Sequence, residues 1–573
     1  MATMEMHAMR TALLVSLAIG TVAYVPIQAA DETMLEAQQQ ILEQKEQNIA
    51  SRLTEERNAS RLRQGMTKTA AVSVGLEAFV LPQEEHSFLI KHFRLKAPAY
   101  GDRFQWINTY LSQFDGQRIG TEGINRLMKA INGEIMNRGY VTTRVYVEEQ
   151  DLSTGEFHFT LLPGIVSDIR FRNETWGTWR NASAVRKGRI LNIRAIEQTV
   201  DNFNSVPGQK ADIKIEPGKN AGESVLVIDI ERGKPYKFFV TLDNSGTRDT
   251  GKAQLTGGLQ LSNPFSINDT FYASWNEDAT ASGEKKGTRA NSIYYTVPFG
   301  ADRLTFSYNR NHYRQTVAYA VNPFISSGTF SQTSLTWTHL LQRTQVSKTD
   351  MDIGIIHKTR HSYINGTEIG VQRQKTMAVE IGVNHRRYFG DSVIDARLAY
   401  RRGLPWLADP GPTDGLPGEA TTRYNMYMGN INLTTPLTLS DTYKAEYNMN
   451  LRFQKSNQPI YSSEFLSIGG WYSVRGFDGE QTLSAEDGVI LRNEIRFPFK
   501  TQPHQIYLAL DYGKVSGPGT EYLLGKELFG GAIGMRGHVG HVSYDAFIGW
   551  PFYKPAGFTT APRTYGFTLT AEI

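Results

Sequence analysis

The chain has 573 residues, 61 basic and 57 acidic side chains with a net charge of +4, a hydrophobic content of 40% and no cysteine. This length allows three or four domains, and the near balance of charge argues against a nucleic-acid-binding protein, which would carry a concentrated basic face. The lack of cysteine excludes disulfides and thiolate metal sites. Because no long apolar run follows the N-terminus, the mature chain is expected to be either soluble or a transmembrane β-barrel.

The first 29 residues have the pattern of a secretory signal peptide. Arg10 supplies the positive flank, residues 11–27 form the apolar core, and Ala29 and Ala30 are the small residues expected at a cleavage site. The alternative is an uncleaved anchor helix, but the core is short and Pro26 interrupts it. We therefore expect residues 1–29 to be removed on export.

Residues 30–63 are predicted to form a helix, because they contain no glycine or proline and are rich in Gln, Glu, Arg and Leu. Their few apolar residues form a thin stripe, too narrow to dock on a hydrophobic core. Such a helix could be solvated or form a short coiled coil. It could also be a polar plug in a water-filled lumen, which is the interpretation we favour. Residues 64–86 follow as a linker with Gly65, Gly75 and Pro82.

Strand and helix patterns alternate twice between residues 87 and 233. In the first unit, 87–163, residues 88–97 predict a strand, 103–114 and 121–139 predict helices, and 140–150 with 155–164 predict a hairpin. In the second unit, 164–233, residues 165–173 predict a strand, 193–206 a helix, and 212–217 and 223–233 two further strands, so that the pattern repeats in outline. Both units are therefore expected to have the order strand–helix–helix–strand–strand.

One segment of the first unit, NRGYVTTRVYVEEQDLSTGEFHF (137–159), resembles the signature of the first POTRA domain in two-partner-secretion transporters. The second unit resembles the second POTRA domain of that family. In the family these domains bind the secreted partner in the periplasm, often by adding its extended chain to a sheet edge. The alternative is that both units are structural spacers. The resemblance implies a client-binding role for Gly139, Tyr140, Val141, Thr142, Thr143 and Arg144.

Residues 234–573 alternate with a period of two, most clearly from Tyr443 to Gln454. One such strand would also fit a soluble sheet, but the count favours a membrane barrel. Sixteen segments of about ten residues, with no intervening helix, predict a closed antiparallel transmembrane β-barrel with an aqueous lumen. They begin near Tyr236, Lys252, Thr270, Ala290, Arg303, Thr333, Asp350, Met377, Val393, Arg423, Tyr443, Gly488, Gln505, Leu528, His541 and Thr564.

The loop between the eleventh and twelfth predicted strands carries Val474, Arg475, Gly476 and Phe477 close to two further aromatic residues. An exposed loop has no reason to hold so many apolar side chains, so we expect it to fold into the barrel. Arg475 would then need an acidic partner. The alternation of its strand directs Asp511 into the lumen, where it can pair with Arg475. The alternative is a surface arginine in an aromatic-rich loop.

This Val-Arg-Gly-Phe tetrapeptide, followed by a lumenal aspartate, resembles the hallmark pairing of the Omp85 superfamily. Together with the two units and the barrel, it makes the chain similar to two-partner-secretion transporters (TpsB) for haemolysins, adhesins and contact-dependent-inhibition toxins. The resemblance implies an outer-membrane protein that recognises an exoprotein in the periplasm and translocates it through the barrel without nucleotide hydrolysis. The alternative is an Omp85-type assembly factor, whose members usually carry three or more POTRA domains.

No enzyme, cofactor or metal function is expected. No glycine-rich phosphate loop opens a helix, no catalytic triad can be assembled, and His357 and His361 would lie too far apart on a strand to share a metal. His538 and His541 flank a predicted turn and are a weak candidate. The expected partners are a TpsA- or CdiA-like exoprotein, outer-membrane lipid and the barrel-assembly machinery, with no nucleic acid. The protein is expected to be a monomer in the outer membrane of a Gram-negative bacterium, with its POTRA domains in the periplasm.

Overall fold

The computed structural model describes residues 80–97, 99–280, 286–317, 323–409, 414–440 and 443–573. The predicted signal peptide (1–29), the predicted plug helix (30–63) and all but the last residues of the predicted linker (64–86) lie outside this part of the chain. None of the described helices is long and apolar enough to cross a membrane.

The first α/β unit is a small sheet covered by helices. Its elements are β1 (Phe88–Ile90), β2 (His92–Lys96), α1 (Gln105–Leu111), β3 (Gln117–Ile119), α2 (Thr121–Asn137), β4 (Arg144–Tyr146) and β5 (Glu156–Leu162). β5 lies between a parallel β2 and an antiparallel β4, and β1 pairs with β3. The apolar face of α2, which includes Leu127, Ile131 and Ile135, packs on this sheet and closes the core.

The second unit contains β6 (Ile165–Phe171), α3 (Ile193–Asn204), β7 (Gln209–Pro217) and β8 (Glu223–Arg232), with β8 between β6 and β7. The helix predicted at 193–206 is present as α3. The outline of the repeat implied a second helix as in the first unit, and that expectation is wrong. Residues 172–192 run as turns and irregular backbone before α3. They include Asn173, Gly177, Asn181 and Gly188, residue types that favour turns over helices.

The remaining strands close into an antiparallel barrel, and the two-residue β16 only extends one hairpin. The bounds are β9 (Tyr236–Asp243), β10 (Gln254–Ser262), β11 (Thr270–Asp278), β12 (Gly287–Phe299), β13 (Asp302–Val317), β14 (Phe324–Arg343), β15 (Ser347–Ile364), β16 (Thr367–Glu368), β17 (Gln374–Phe389), β18 (Ser392–Asp409), β19 (Asn425–Ser440), β20 (Tyr443–Ser456), β21 (Leu466–Ile468), β22 (Leu483–Ala485), β23 (Asp487–Pro498), β24 (His504–Ser516), β25 (Glu527–Val539), β26 (Val542–Tyr553) and β27 (Thr564–Glu572). Within the described part of the chain, β21 and β22 pair with each other and not with a barrel strand. The barrel therefore has sixteen long strands, as predicted, and β27 closes it by pairing with β9.

Alternation along β24 separates an outer face from a lumenal face. Ile506, Leu508 and Leu510 are 39%, 44% and 52% exposed on the outside. The intervening Tyr507, Ala509 and Asp511 are 2%, 4% and 0% exposed, because they face the inside of the barrel. Apolar side chains outside and polar ones inside are the arrangement that a bilayer requires of a transmembrane barrel.

Several strands are longer than the ten or so residues expected. β14 spans 20 residues and begins at Phe324 rather than near Thr333. Its first half, FISSGTFSQ, lacks the alternation that the prediction relied on. The residues that lipid contacts must alternate, but a strand end beyond the membrane has water available on both faces and carries no such constraint.

Candidate functional site: a loop folded into the barrel

Residues 457–486 connect β20 to β23, and we call this segment the inner loop. It starts at the end of the barrel opposite the short turn 498–504, which joins β23 to β24. Within it, β21 and β22 form a short hairpin with Leu466 opposite Ala485. The tetrapeptide 474–477 lies between these two strands, so the hairpin holds its tip in a defined position.

The tip of the inner loop is bound to the barrel wall through Arg475 and Asp511. The guanidinium makes two parallel bonds to the carboxylate, Nε to Oδ2 at 2.6 Å and Nη2 to Oδ1 at 2.7 Å. The Arg475 backbone N–H also donates to Asp511 Oδ2 at 2.9 Å. Both side chains are almost fully buried. Bidentate bonding between ions fixes orientation as well as distance.

A second acid, Glu494 on β23, extends this contact into a network. Its Oε2 accepts from Arg475 Nη1 and, at 3.1 Å, from Arg536 Nη2, while Oε1 accepts from Arg496 Nε at 2.6 Å. Three arginines therefore surround the buried Glu494 carboxylate, and one of them, Arg475, also neutralises Asp511. The sequence prediction missed Glu494. Only the alternation of β23, which also directs it inward, could have indicated it.

Glycines in the wall allow the tip to approach closely. A Cβ atom at Gly530 would lie 2.1 Å from the Arg475 carbonyl oxygen, and one at Gly549 would lie 2.9 Å from the Gly476 Cα. Gly476 itself has φ +106°, a conformation that side chains disfavour. Its carbonyl accepts from Thr564 Oγ1 at 3.1 Å, which joins the tip to the last strand.

The other two residues of the tetrapeptide are apolar and fully buried. Val474 and Phe477 belong to a cluster inside the barrel that also contains Leu466, Ile468, Leu483, Ala485, Ile490, Val515, Leu528 and Phe558. The rings of Phe477 and Phe558 meet edge to face at 5.9 Å. The cluster explains why an outer loop is rich in apolar residues: it packs against the wall instead of facing water.

Among the described residues, no group of three or more His, Asp or Glu side chains could hold a metal ion. What the inner loop provides is a set of ionic and apolar contacts between a connecting segment and the wall. Such contacts can hold a loop in place, and they can be broken without unfolding the sixteen strands.

Comparison with known proteins agrees with this architecture. Residues 222–537 match the family model described as haemolysin secretion/activation protein ShlB/FhaC/HecB, which covers more than half of the chain. Residues 88–164 match the ShlB-type POTRA domain, and residues 165–217 match a further POTRA domain. The chain belongs to the ShlB/FhaC/HecB family. The resemblance found in the sequence is therefore confirmed.

Among curated relatives, the outer membrane transporter CdiB-2 of Burkholderia pseudomallei is 36% identical over 86% of this chain and 88% of its own length. CdiB of Dickeya dadantii is 32% identical over 76% of this chain and 78% of that protein. The hemolysin transporter protein ShlB of Serratia marcescens is 25% identical over 68% of this chain and 69% of its own. The family consists of transporters of the outer membrane, which is where the barrel of this chain resides, with its POTRA domains on the periplasmic side.

Solved structures agree on the fold. CdiB from Acinetobacter baumannii superposes with a TM-score of 0.80 at 26% identity, covering 93% of this chain and 98% of that structure. CdiB from Escherichia coli gives 0.81 at 24% identity, covering 95% and 99%. The predicted fold class, a sixteen-stranded barrel preceded by two POTRA domains, is confirmed.

The predicted client-binding residues of the first POTRA domain lie mostly at the junction with the second. Gly139 has φ +91°, and a Cβ there would lie 2.7 Å from Asn192 Oδ1. The Gly139 carbonyl accepts from the N–H of Ile193 at 2.8 Å, so this backbone joins the start of α3. Gly139 therefore has a structural reason to be glycine that is independent of any client.

Four of the neighbouring residues also make contacts within the protein. Tyr140 packs on Phe104 at 5.0 Å, and Val141 packs on the core of the second POTRA domain. Thr143 is buried and its Oγ1 accepts from the Gly164 N–H at 3.0 Å. A Cβ at Gly164 would meet the Thr142 side chain, so these residues are closely packed. Arg144, on β4, is the exposed member of the set. Client binding by these residues stays a prediction.

The second POTRA domain is joined to the periplasmic turns of the barrel. Arg343, at the end of β14, binds two acids of α3: Nε lies 3.1 Å from Glu197 Oε2, and Nη1 lies 2.6 Å from Asp201 Oδ2. Asn202 of α3 donates to the Gly300 carbonyl at 2.7 Å. These contacts fix the domain beside the entrance of the barrel.

Proposed function

We propose that this protein recognises a large exoprotein in the periplasm through its POTRA domains and translocates it through the barrel to the cell surface, without nucleotide hydrolysis. The observation that carries the proposal is the inner loop, which is held inside the lumen by ion pairs between Arg475 and the acids Asp511 and Glu494. A polar contact of this kind closes the lumen at rest and can be replaced by contacts with a passing chain. The transporters among the relatives support the same function, and they give less support to the assembly-factor alternative.

The POTRA domains are proposed to bind the client while it is extended. A sheet edge suits this role because an unfolded chain offers unpaired backbone groups. The edge at β4 is covered, since Asn132 Oδ1 accepts from the Val145 N–H at 2.8 Å and its Nδ2 donates to the Val145 carbonyl at 2.9 Å. A client strand at this edge would have to displace the Asn132 amide. Arg144 lies beside that edge and is the predicted residue best placed to contact a client.

The proposal also covers the segment boundaries of the chain, its oligomeric state and its partners in the membrane. We propose the boundaries 1–29 for the signal peptide, 30–63 for a plug helix that client binding displaces, 64–86 for the linker, 87–163 and 164–233 for the POTRA domains, and 234–573 for the barrel. The protein is proposed to act as a monomer in outer-membrane lipid, inserted by the barrel-assembly machinery. Folding of the client outside the cell would bias its exit, since no nucleotide site is proposed.

The test is depletion of this protein in its own host, followed by mass spectrometry of the culture supernatant and the outer membrane. Loss of one large secreted protein, with other barrels unchanged, is the expected result. A general loss of outer-membrane barrels would contradict transport and favour the assembly factor. We call the protein that disappears from the supernatant the exported client.

A further inference from the structure

The inner loop contacts the barrel wall at a second ionic site, far along the sheet from the tip. Glu464, in the first part of the loop, is almost fully buried. Its Oε1 lies 3.0 Å from Lys358 Nζ on β15, and its Oε2 lies 2.8 Å from Arg401 Nη1 on β18. The loop thus meets the wall at strands β15–β18 through Glu464 and at strands β23–β25 through Arg475.

The charges of these two regions are complementary to the loop. On the wall beside Glu464, Arg397 pairs with Asp352 and Glu380, Arg401 pairs with Glu380, and Lys358 joins this chain of ion pairs through Glu464. The buried Arg360 lies in the same wall, so the described bases here outnumber the wall acids, and Glu464 adds a negative charge that Lys358 and Arg401 share. A buried base without an ionic partner is strongly unfavourable, so Glu464 stabilises the charges of Lys358 and Arg401 in this wall.

At the other region the imbalance has the opposite sign. The acids there are Glu446, Glu494, Asp511 and Asp545, and the wall bases that contact them are Arg492, Arg496 and Arg536. Among the described residues these acids outnumber the wall bases that contact them by one, and Arg475 adds a positive charge that Asp511 and Glu494 share. The acidic Glu464 therefore matches the basic wall region, and the basic Arg475 matches the acidic one. Exchanging the two contacts would place like charges together.

Backbone and hydroxyl contacts support Glu464 in this position. Its carbonyl accepts from Gln454 Nε2 at 2.7 Å, and its N–H donates to the Tyr461 carbonyl at 2.8 Å, which closes a short 3-10 turn. The neighbouring Ser462 accepts from Arg360 Nη1 at 3.4 Å, which adds a contact to β15. The carboxylate is thus held toward the wall by the local fold and is not simply a long side chain that reaches it by chance.

We propose that Glu464 is a positioning residue of the transporter: together with Arg475 it fixes the inner loop across the lumen at two points of opposite charge. This rests on the proposed function only for its biological consequence, because the two-point attachment is a property of the protein without client. Releasing Glu464 frees the start of the loop, 457–465, while β21 and the tip remain bound through the apolar cluster and Arg475. The lumen then opens on the side of β15–β18 first.

The test uses the full-length protein in outer-membrane vesicles, with a single cysteine in the inner loop at Ile460→Cys. The chain has no other cysteine, and Ile460 is buried against Ala378, Tyr424 and Met426, four residues before Glu464. The rate of labelling by a membrane-impermeant maleimide then reports how often the loop leaves the wall. The variants are Glu464→Gln, the conservative Glu464→Asp, Lys358→Gln and the double Glu464→Gln/Lys358→Gln.

Glu464→Gln is expected to accelerate labelling roughly tenfold or more, since a hydrogen bond to a charged group contributes about 1.5–3 kcal/mol. Glu464→Asp should restore part of the slow rate. The double variant should label no faster than the faster single one, because both changes remove the same contact. The matched control is Asp395→Asn, which removes a β17–β18 ion pair with Arg386 that does not involve the loop, and it should label at the parental rate.

Labelling of Glu464→Gln at the parental rate, or equal acceleration by Asp395→Asn, would overturn the proposal. If Glu464→Gln fails to form the heat-modifiable barrel seen on gels, the labelling rate of Lys358→Gln is used instead, because this variant breaks the same contact from the wall side. A parental rate in Lys358→Gln would then overturn the proposal. Export of the client is measured in the same strains. A parental protein with a slow labelling rate that exports nothing would refute the proposed function and leave the attachment of the loop intact.

Discussion

The backbone of Gly476 lies directly against Gly549 of the barrel wall, so closely that a Cβ at Gly549 would come 2.9 Å from the Gly476 Cα. A contact this close leaves no room for any larger residue in the wall. The position of the inner loop therefore depends on glycines of the wall as well as on residues of the loop itself.

The first prediction concerns Gly530. In Gly530→Ala, the new methyl group would lie 2.1 Å from the Arg475 carbonyl oxygen, a backbone atom that cannot rotate away. We expect the tip to be displaced, the loop to become accessible to protease and export of the client to fall, while the barrel still assembles. Gly370→Ala is the control, since a Cβ there meets nothing within 4 Å. A protected loop and parental export in Gly530→Ala would contradict the close approach.

The second prediction separates charge from geometry at the tip. Arg475→Lys keeps the charge but cannot reproduce the paired bonds of 2.6 and 2.7 Å to Asp511. Arg475→Ala removes the paired bonds to the buried Asp511 and leaves it Arg492 at 3.6 Å, a loss of about 3–5 kcal/mol for a broken buried pair. We expect export to decrease in the order parent, Arg475→Lys, Arg475→Ala, with heat-modifiable barrel present in all three. Asp511→Asn should resemble Arg475→Ala. Equal export by Arg475→Lys and the parent would show that the positive charge is sufficient and that the paired bonds to Asp511 are not needed for export.

The third prediction concerns the joint between the second POTRA domain and the barrel. Arg343→Ala removes the contacts with Glu197 and Asp201 and leaves both acids of α3 without this partner. We expect faster amide exchange in α3 and weaker export. The matched control is Arg170→Ala, which removes an exposed ion pair with Glu216 in the same domain and should change neither. Unchanged exchange in Arg343→Ala would show that other contacts fix the domain.

The fourth prediction distinguishes packing from client binding in the first POTRA domain. Gly139→Ala places a methyl group 2.7 Å from Asn192 Oδ1 at a residue with φ +91°, so the isolated pair of POTRA domains should melt at a lower temperature. Arg144→Ala changes an exposed side chain and should leave melting unchanged. If the segment contacts the client, Arg144→Ala lowers the affinity for the exported client in a pull-down. If Arg144→Ala binds the exported client with the parental affinity, Arg144 is not part of the binding surface.

Much of the fold could be predicted from the sequence because alternation and turn residues are local signals. β24 shows this well, since Asp511 sits between Leu510 and Tyr512 and its direction follows from its neighbours. The start of β14 was predicted wrongly, because strand residues beyond the membrane need not alternate. In the second POTRA domain the helix at 193–206 was predicted correctly, but the outline of the repeat also implied a second helix, where 172–192 contain turn residues instead.

At the site, the sequence singled out Arg475 and Asp511 because a familiar tetrapeptide drew attention to one of them. Glu464 had no such signal: its partner Arg401 is 63 positions away in the chain, and an acid in a loop has an ordinary solvated explanation. Gly530 and Gly549 could not be predicted from the sequence either. Each must be glycine because the backbone of the inner loop lies against it, and that contact exists only in the folded chain. To predict contacts between residues on distant strands, one must know the register in which the strands of the barrel pair.

The most direct test of the account is to lock the inner loop to the wall with a disulfide. In Ile468→Cys/Gly513→Cys the two Cβ atoms would start 3.2 Å apart, which needs a shift of a few tenths of an ångström to reach the usual spacing of about 3.8 Å. The chain has no cysteine of its own, so this pair would be the only disulfide. Each single-cysteine variant serves as a control.

Export of the client is measured before and after reduction, and the fraction cross-linked is read from gel mobility. The account predicts that export stops in the oxidised protein and returns when the disulfide is reduced, because the loop must leave the wall for a chain to pass. Undiminished export by a fully cross-linked barrel would contradict it.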